Sequence, residues 1–294
     1  MECVLCGNNS AKIISSKVRD SKINKVIKCE KCDHVQLSPI PSRDEDIIFY
    51  DNNLQEKNLK QSFSLRDHKK KSKIDTRRRF DLVSTICKKT DKILEIGSGY
   101  GFFLEEMKKS GYDITGLEVS KERRNISKKV TKAKILDKNL MEKNVDFGKF
   151  DVIVFFHVLE HISDSVSFLK NLKKILTENG RIIIEVPNYN DFQIDLNDAY
   201  RKWHFQRAHI HYFTPKTLKK ILQKSGFKNI TINGIQRYGI GNMLNWKINK
   251  KPQLGSPDFD FDDGYEMIER NYKQYLEKNL VSDTIVAIIS YSKK

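Results

Sequence analysis

From Lys92 onward, the apolar positions follow two rhythms that take turns along the chain. Residues 92–96 (KILEI) form a short strand-like run, 113–118 (DITGLE) a second, and 133–136 a brief third. Residues 150–156 (FDVIVFF) are apolar except for Asp151, which suits a strand covered on both faces of a parallel sheet. Between these runs the spacing becomes helical. Residues 101–109 put Phe102, Phe103 and Met107 on one side, 121–130 follow, and 165–176 line up Phe168, Leu169, Leu172, Ile175 and Leu176. Asn179-Gly180 reads as the C-cap of that helix, and 181–186 as the next strand. Thr214-Pro215 opens a further helix with an N-cap and a proline at its first position, and Ser225-Gly226 closes it. Strands over 227–235 and 284–291 end the series. This alternation predicts an α/β fold on a doubly wound, mostly parallel sheet.

The chain before residue 92 is organised differently. Residues 1–40 carry Cys3, Cys6, Cys29 and Cys32 in a C-x2-C-x22-C-x2-C pattern. In a reducing compartment paired C-x-x-C knuckles bind metal rather than forming disulfides, and four thiolates make a closed, structural zinc site. Gly7 eases the turn under the first knuckle, and short strands are expected near residues 12–16 and 25–28. His34 is either a spare ligand or a cap on the second knuckle. Residues 41–72 have no long apolar period; Phe49, Tyr50 and Phe63 stand among charges, and the segment reads as a linker with some helix that folds over the active site. Residues 73–88 are helical by spacing, with Cys87 as a core residue. The expected division is 1–40 zinc ribbon, 41–72 linker or helical cap, and 73–294 catalytic domain.

Composition narrows the setting. Of 294 residues, 38% are hydrophobic and 31% charged, and no run of about 18 uncharged apolar residues marks a membrane span. The N-terminus lacks a basic region followed by an apolar stretch, so a cytoplasmic protein is expected. Net charge is +16, from 54 Lys and Arg against 38 Asp and Glu. Two readings stand: a polyanionic partner such as RNA, or lysines spread over a solvated surface. The scatter of the lysines favours the second; the densest basic runs are residues 68–71 and 77–79. Phosphorylated small substrates would also favour a basic face.

The most informative segment is Glu95-Ile96-Gly97-Ser98-Gly99-Tyr100-Gly101, placed between a strand and a helix. Its glycines allow a tight turn and close approach of a ligand to the backbone, and the helix N-terminus offers free amides. The G-x-G-x-G spacing is not the G-x-G-x-x-G of dinucleotide sites, and Glu95 would repel a pyrophosphate. An acid there suits the cationic aminoacyl end of a sulfonium cofactor. Glu118, at the end of the next strand, stands where a doubly wound fold places a carboxylate against ribose hydroxyls.

These residues bring a family into view. LEIGSGYG, GLEVS, FDVIVFFHVLEHI and NGRIIIEVPN, in this order over about residues 75–235, resemble the motifs of class I S-adenosylmethionine-dependent methyltransferases. The resemblance implies a seven-stranded Rossmann-like sheet. It implies that Glu95, Gly97 and Gly99, with Ser98, Tyr100 and Gly101 in the same loop, hold the aminoacyl part, and Glu118 with Val119 the ribose. Asp137 is then the contact to the adenine amino group, with Asn139 as competitor, and His157 and Leu159 line the same cleft.

The acceptor should lie beyond the C-terminal strand ends. Two segments there are rich in histidine and aromatic side chains. One is 157–161, which includes His161. The other starts at Asn188 and Tyr189 and continues through Trp203, His204, His209, His211 and Tyr212. Histidine is a suitable base for a hydroxyl near neutral pH. In the family, an H-I/L-x-x-F pattern precedes a T-P-x-x-L helix; His209 matches it, which makes His209 the expected base, while His211 falls on a variable position. The plainer alternative has His209 bonding a loop carbonyl. His161 and His211 are the further catalytic candidates, and Asn188, Tyr189, Trp203, His204, Tyr212 and Arg237 the expected acceptor contacts. Glu160-His161 is a pair that some quinone-pathway members use, with a preceding acid, to hold a divalent ion; His157 replaces that acid here, so no catalytic metal is expected.

Residues 234–252 resemble the tail of surface-polysaccharide-associated methyltransferases, through Gln236-Arg237-Tyr238, Asn242, Trp246, Lys251-Pro252 and, later, Asp283-Thr284. Arg237 either meets a substrate phosphate or pairs with the acids of residues 258–263. Segments 189–213 and 236–282 would cap the acceptor. The reading is methyl transfer to a hydroxyl of a sugar, nucleotide sugar or surface-carbohydrate precursor. The alternatives are an RNA methyltransferase whose ribbon grips RNA, and a non-catalytic cofactor-binding scaffold.

Overall fold

The computed structural model describes residues 2–42, 45, 64–142, 146–252 and 264–292. Three short strands open the chain: β1 (Ala11–Ser15), β2 (Lys25–Cys29) and β3 (Val35–Ser38). Helix α1 (Leu65–Ile86) starts at a capping box in which Ser64 and Asp67 each accept from the other's backbone amide. It begins well before residue 73, because this box nucleates a first turn that apolar spacing does not reveal. Then β4 (Lys92–Ile96), α2 (Phe102–Lys109), β5 (Asp113–Leu117), α3 (Lys121–Thr131), β6 (Lys134–Leu136) and β7 (Phe150–Phe156) alternate. A 3₁₀ turn (Leu159–His161) leads to α4 (Ser165–Ile175), β8 (Leu176–Pro187), α5 (Phe192–Leu196), α6 (Asp198–His204) and β9 (His211–Tyr212). The chain ends with α7 (Pro215–Lys224), β10 (Asn229–Ile235), α8 (Ile240–Asn249), α9 (Glu266–Lys278) and β11 (Thr284–Ser290).

Seven strands form one sheet in the order β10-β11-β8-β7-β4-β5-β6. The run from β8 to β6 is parallel, and β11 is antiparallel to both neighbours. This is the expected doubly wound, mostly parallel, Rossmann-like sheet. Along β7, Ile153 and Phe155 enter one apolar layer while Val152, Val154 and Phe156 enter the other, so both faces are covered. All C-terminal ends of the parallel strands open on one edge, where a ligand crevice belongs.

One expected boundary is corrected. Asn179-Gly180 does not cap α4: β8 starts at Leu176, which pairs with Phe150, so residues 176–180 are already extended. Residues 43, 44 and 46–63, which include Phe49, Tyr50 and Phe63, lie outside the described residues, as do 253–263 with their acids. Among the described residues no helix is long and apolar enough to cross a membrane.

The first forty residues share a sheet with a strand far along the chain. β1-β2-β3 is completed by β9, through Val35 opposite Tyr212 and Gln36 opposite His211. Cys3, Leu5, Cys29 and Cys32 belong to the same buried layer as Phe213 and Leu218. Lys224 of α7 donates to the Leu5 carbonyl at 2.7 Å, and Lys216 pairs with Asp33 at 2.8 Å. The ribbon is thereby fixed against the segment that carries the histidines.

Candidate active site

The glycine loop leaves β4 at its C-terminal end. Gly97 has φ +71°, and a Cβ there would stand 2.5 Å from the Val158 side chain, so both conformation and space require glycine. Gly99, at φ +54°, has nothing within 4 Å of its missing side chain and faces open space. The Glu118 carboxylate accepts from the Gly99 amide at 2.7 Å and from the Ser120 amide at 2.8 Å. Tyr100 stacks on His68, with ring centroids 4.9 Å apart.

Glu95 is 5% exposed, and its Oε2 has no hydrogen-bond partner. Burial pushes its pKa up to about 8, with Arg79 opposing and the neighbouring Glu118 adding to the rise. An orphaned acid beside a cradle open at Gly99 fits a ligand that brings its own cation, as the ammonium of S-adenosylmethionine does.

Next to this cradle lies a cavity of about 290 Å³, a size suited to a small molecule. Tyr200, Trp203, Tyr238 and Trp246 supply aromatic walls, and Gln206, Asn242, Arg237 and Asp283 supply polar groups. His157, His204 and His209 also line it, with Pro187 and Pro252. His157, in the left-handed region at φ +55°, sits at the C-terminal end of β7, where the cradle and the cavity meet.

A buried ion network supports the cavity. Glu185 is fully buried; Arg78 reaches its Oε2 at 2.9 Å, and Arg79 and His157 reach its Oε1 at 2.6 and 3.2 Å. Burial alone would raise the Glu185 pKa, but Arg79, His157 and Arg78 hold it well below the carboxylate range. His157 also approaches Glu160 at 3.3 Å; burial disfavours its charge, yet the Glu160 and Glu185 carboxylates raise its pKa. Arg237 pairs with Asp283 at 3.1 Å and lies 3.8 Å from Asp75.

A model of the methyltransferase-domain family matches residues 66–232, more than half of the chain. The chain belongs to this methyltransferase family. It is 35% identical over 104 residues to a ubiquinone biosynthesis O-methyltransferase of Pelagibacter ubique, covering 34% of this chain and 43% of that protein. It is 25% identical over 158 residues to the enzyme of the same name from Aliivibrio fischeri, covering 49% of this chain and 67% of that one. The chain thus spans less than half the length of the first of these relatives. A methyltransferase of Archaeoglobus fulgidus shares the fold with a TM-score of 0.53 at 19% identity, over 81% of this chain and 99% of that one. The magnesium protoporphyrin IX methyltransferase of Synechocystis PCC 6803, with bound S-adenosylhomocysteine, gives 0.51 at 12% identity, over 83% and 97%.

The expected site residues separate into two groups. His157, Trp203, His204, His209 and Arg237 face the cavity. Asn188, Tyr189, His161, His211 and Tyr212 stand behind its wall. Asn188 ties β8 to the carbonyls of Leu280 and Ser282, and the Tyr212 hydroxyl closes a loop onto the Gln206 backbone. His161 Nδ1 donates to the Ala208 carbonyl at 2.6 Å. His211 has both nitrogens engaged, one by His34 at 3.2 Å and one by the Ile162 carbonyl at 2.9 Å. The His34 ring is not grouped with the four cysteines but points at His211, while its backbone carbonyl caps the knuckle by accepting from the Cys29 amide at 2.9 Å. Leu159 is fully buried in the apolar layer, and Val119 is exposed beside Glu118. Asp137 lies 2.7 Å from Arg124 and is largely exposed, while Asn139 accepts from the Met141 amide at 2.9 Å.

Arg78 and Arg79 alter the reading of the charge. They belong to the 77–79 basic run, yet they are partly buried and clamp Glu185 rather than adding to a solvated face. Only the phase of α1 against the sheet shows this. Gln206 and the buried Asp191, whose carboxylate accepts from the Tyr200 hydroxyl at 2.5 Å, gave no signal in the sequence as site residues. Arg237 has Asp283, just before β11, and Asp75, on α1, as partners.

The four ribbon cysteines place their sulfurs within 4.8 Å of one another. A tetrahedral zinc with Zn–S bonds of about 2.3 Å needs sulfurs about 3.8 Å apart, so the set fits such an ion with little adjustment. Among these thiols, burial opposes the Cys29 thiolate, yet the backbone amides of Cys32 and Lys31 draw its pKa down to about 6, whereas burial pushes Cys3 up to about 11 and Cys32 well above the ordinary thiol value.

Proposed function

We propose that this enzyme transfers a methyl group to a hydroxyl of a small acceptor, a sugar or sugar-linked metabolite, seated between Trp203, Trp246 and His209. The observation that carries the reading is the mixed wall of the cavity. Aromatic faces accept the C–H face of a sugar ring, and Gln206, Asn242 and Asp283 add polar groups to the same wall. Relatives named as O-methyltransferases support transfer to oxygen.

When bound, S-adenosylmethionine supplies an electrophilic methyl group on a sulfonium centre. The chain's own part is binding, alignment and proton handling. Glu95 receives the ammonium, and the backbone of Gly97, Ser98, Gly99, Tyr100 and Gly101 shapes the cradle. Glu118, beside Val119, takes the ribose. Asp137 takes the adenine amino group in preference to Asn139, whose oxygen already serves Met141. His209 accepts the hydroxyl proton. Burial, reinforced by His161 and His204, holds its pKa well below the ordinary value, so it is neutral and has a lone pair. Glu160, within 4.8 Å of it, offsets the charge it gains. Cys3, Cys6, Cys29 and Cys32 hold a structural zinc, and Cys29→Ser should lower its bound zinc.

The test is methyl transfer from labelled cofactor to a panel of nucleotide sugars. His209→Ala should keep its affinity for S-adenosylhomocysteine and lose about 100-fold or more in transfer. Unchanged transfer removes His209 as the base.

A further inference from the structure

We infer that Arg19, a ribbon residue, is a positioning residue for the acceptor cavity: it stacks on Trp203 and fixes Gln206, and through Gln206 it selects the tautomer of His209. The ribbon is then part of the active-site wall rather than an appendage. This rests on the proposed small-acceptor reading of the cavity.

The geometry is specific. The loop at residues 18–21 docks on the loop that follows α6. The Arg19 amide donates to the Phe205 carbonyl at 2.8 Å, and the Arg207 amide donates to the Arg19 carbonyl at 2.9 Å. This two-way clasp places the guanidinium 3.8 Å from the Trp203 ring centroid, within cation–π range. One Nη of Arg19 donates to Gln206 Oε1 at 2.5 Å.

The chemistry of that contact determines the next one. A guanidinium has only donors, so the Gln206 oxygen must face Arg19 and its NH₂ must face the other way. On that side lies His209, with Nε2 3.0 Å and Nδ1 3.4 Å from the Gln206 nitrogen. An NH₂ group donates, so the nearer nitrogen, Nε2, accepts, and the ring proton of neutral His209 sits on Nδ1. Nε2 is therefore the basic nitrogen before the acceptor arrives, and an entering hydroxyl replaces the amide there. Without Arg19 the Gln206 amide can turn over and present its oxygen, which would favour the opposite tautomer.

The test needs no acceptor. In enzyme saturated with S-adenosylhomocysteine, side-chain ¹⁵N shifts report which nitrogen of His209 carries the proton. Wild type should show the Nδ1–H form, and Arg19→Met should lose that preference and shift the tryptophan emission. Bound zinc and S-adenosylhomocysteine affinity, both unchanged, would show that the ribbon and the cradle are intact. If Arg19→Met disturbs the ribbon, Gln206→Leu removes the intermediary and should lose the same tautomer preference. A wild-type tautomer in either folded variant, or an Nε2–H tautomer in wild type, overturns the inference. Because the readout is independent of turnover, that failure is separable from failure of the small-acceptor reading, which is decided by the nucleotide-sugar panel.

Discussion

His34, two residues past the second cysteine knuckle, bonds His211 ring to ring, Nε2 to Nδ1 at 3.2 Å. The far nitrogen of His211 must donate to the Ile162 carbonyl at 2.9 Å, so its near nitrogen accepts and His34 is the donor. The pair joins the ribbon to the turn after β7 that carries Glu160 and His161. A double-mutant cycle of His34→Ala and His211→Ala, read by chemical denaturation, should give a coupling of about 1 kcal/mol. Additive effects would show that the ribbon and this turn are energetically independent.

Acid should destabilise the fold through its buried neutral histidines. Burial, with Arg19 adding to it, lowers His204 to about 4, and burial likewise lowers His211 to about 4. The unfolded chain binds these protons more readily, near the ordinary 6.5. Their contribution is therefore present above about pH 6.5 and is lost as pH falls towards about 4. His204 stacks among Tyr189, Tyr200 and Tyr212, so His204→Phe should preserve packing and make the fall in thermal midpoint over this range shallower. An unchanged slope would contradict the assignment.

Glu95 has the opposite sign. Its pKa is raised from 4.5 to about 8 in the free enzyme, so its contribution to stability is complete below about 4.5 and is lost as pH rises through about 8. At pH 7 the free acid is mostly protonated, and a cationic ligand ionises it. Binding of S-adenosylhomocysteine should therefore release a proton, seen by calorimetry in buffers of different ionisation enthalpy. Glu95→Gln should abolish that release and weaken binding about 10- to 100-fold, the loss of one charged hydrogen bond. Binding without proton release would contradict the role given to Glu95.

Glu185 holds α1 to the sheet. Replacing it by Ala leaves Arg79 and His157 without this shared anion in a dry site, and loss of one partner from a buried ion cluster costs about 3–5 kcal/mol. Urea unfolding of Glu185→Ala should show a loss of that order. A loss below about 1 kcal/mol would place the two arginines among ordinary surface pairs.

Much of this was legible in the sequence where the information is local. The alternation of β4 to β8 with helices, the Glu95–Gly101 turn and the cysteine knuckles are each carried by neighbouring residues. What was not legible depends on distant contacts. Arg78 and Glu185 are 107 positions apart, and nothing in a run of three arginines says which of them turns inward. His209 and His211 are equivalent by type, yet β9 pairing with β3 turns His211 towards His34 while His209 reaches the cavity. Gln206 has meaning only once Arg19, 187 positions earlier, is beside it.

The central claim is that the cavity beside the cofactor cradle takes a small hydroxylic acceptor. The most direct measurement incubates the enzyme with methyl-labelled S-adenosylmethionine and, in parallel, a nucleotide-sugar pool and total RNA. Label should enter the small-molecule pool in wild type, stay at background in His209→Ala, and be absent from RNA. Label in RNA, with none in the sugar pool, would contradict the claim.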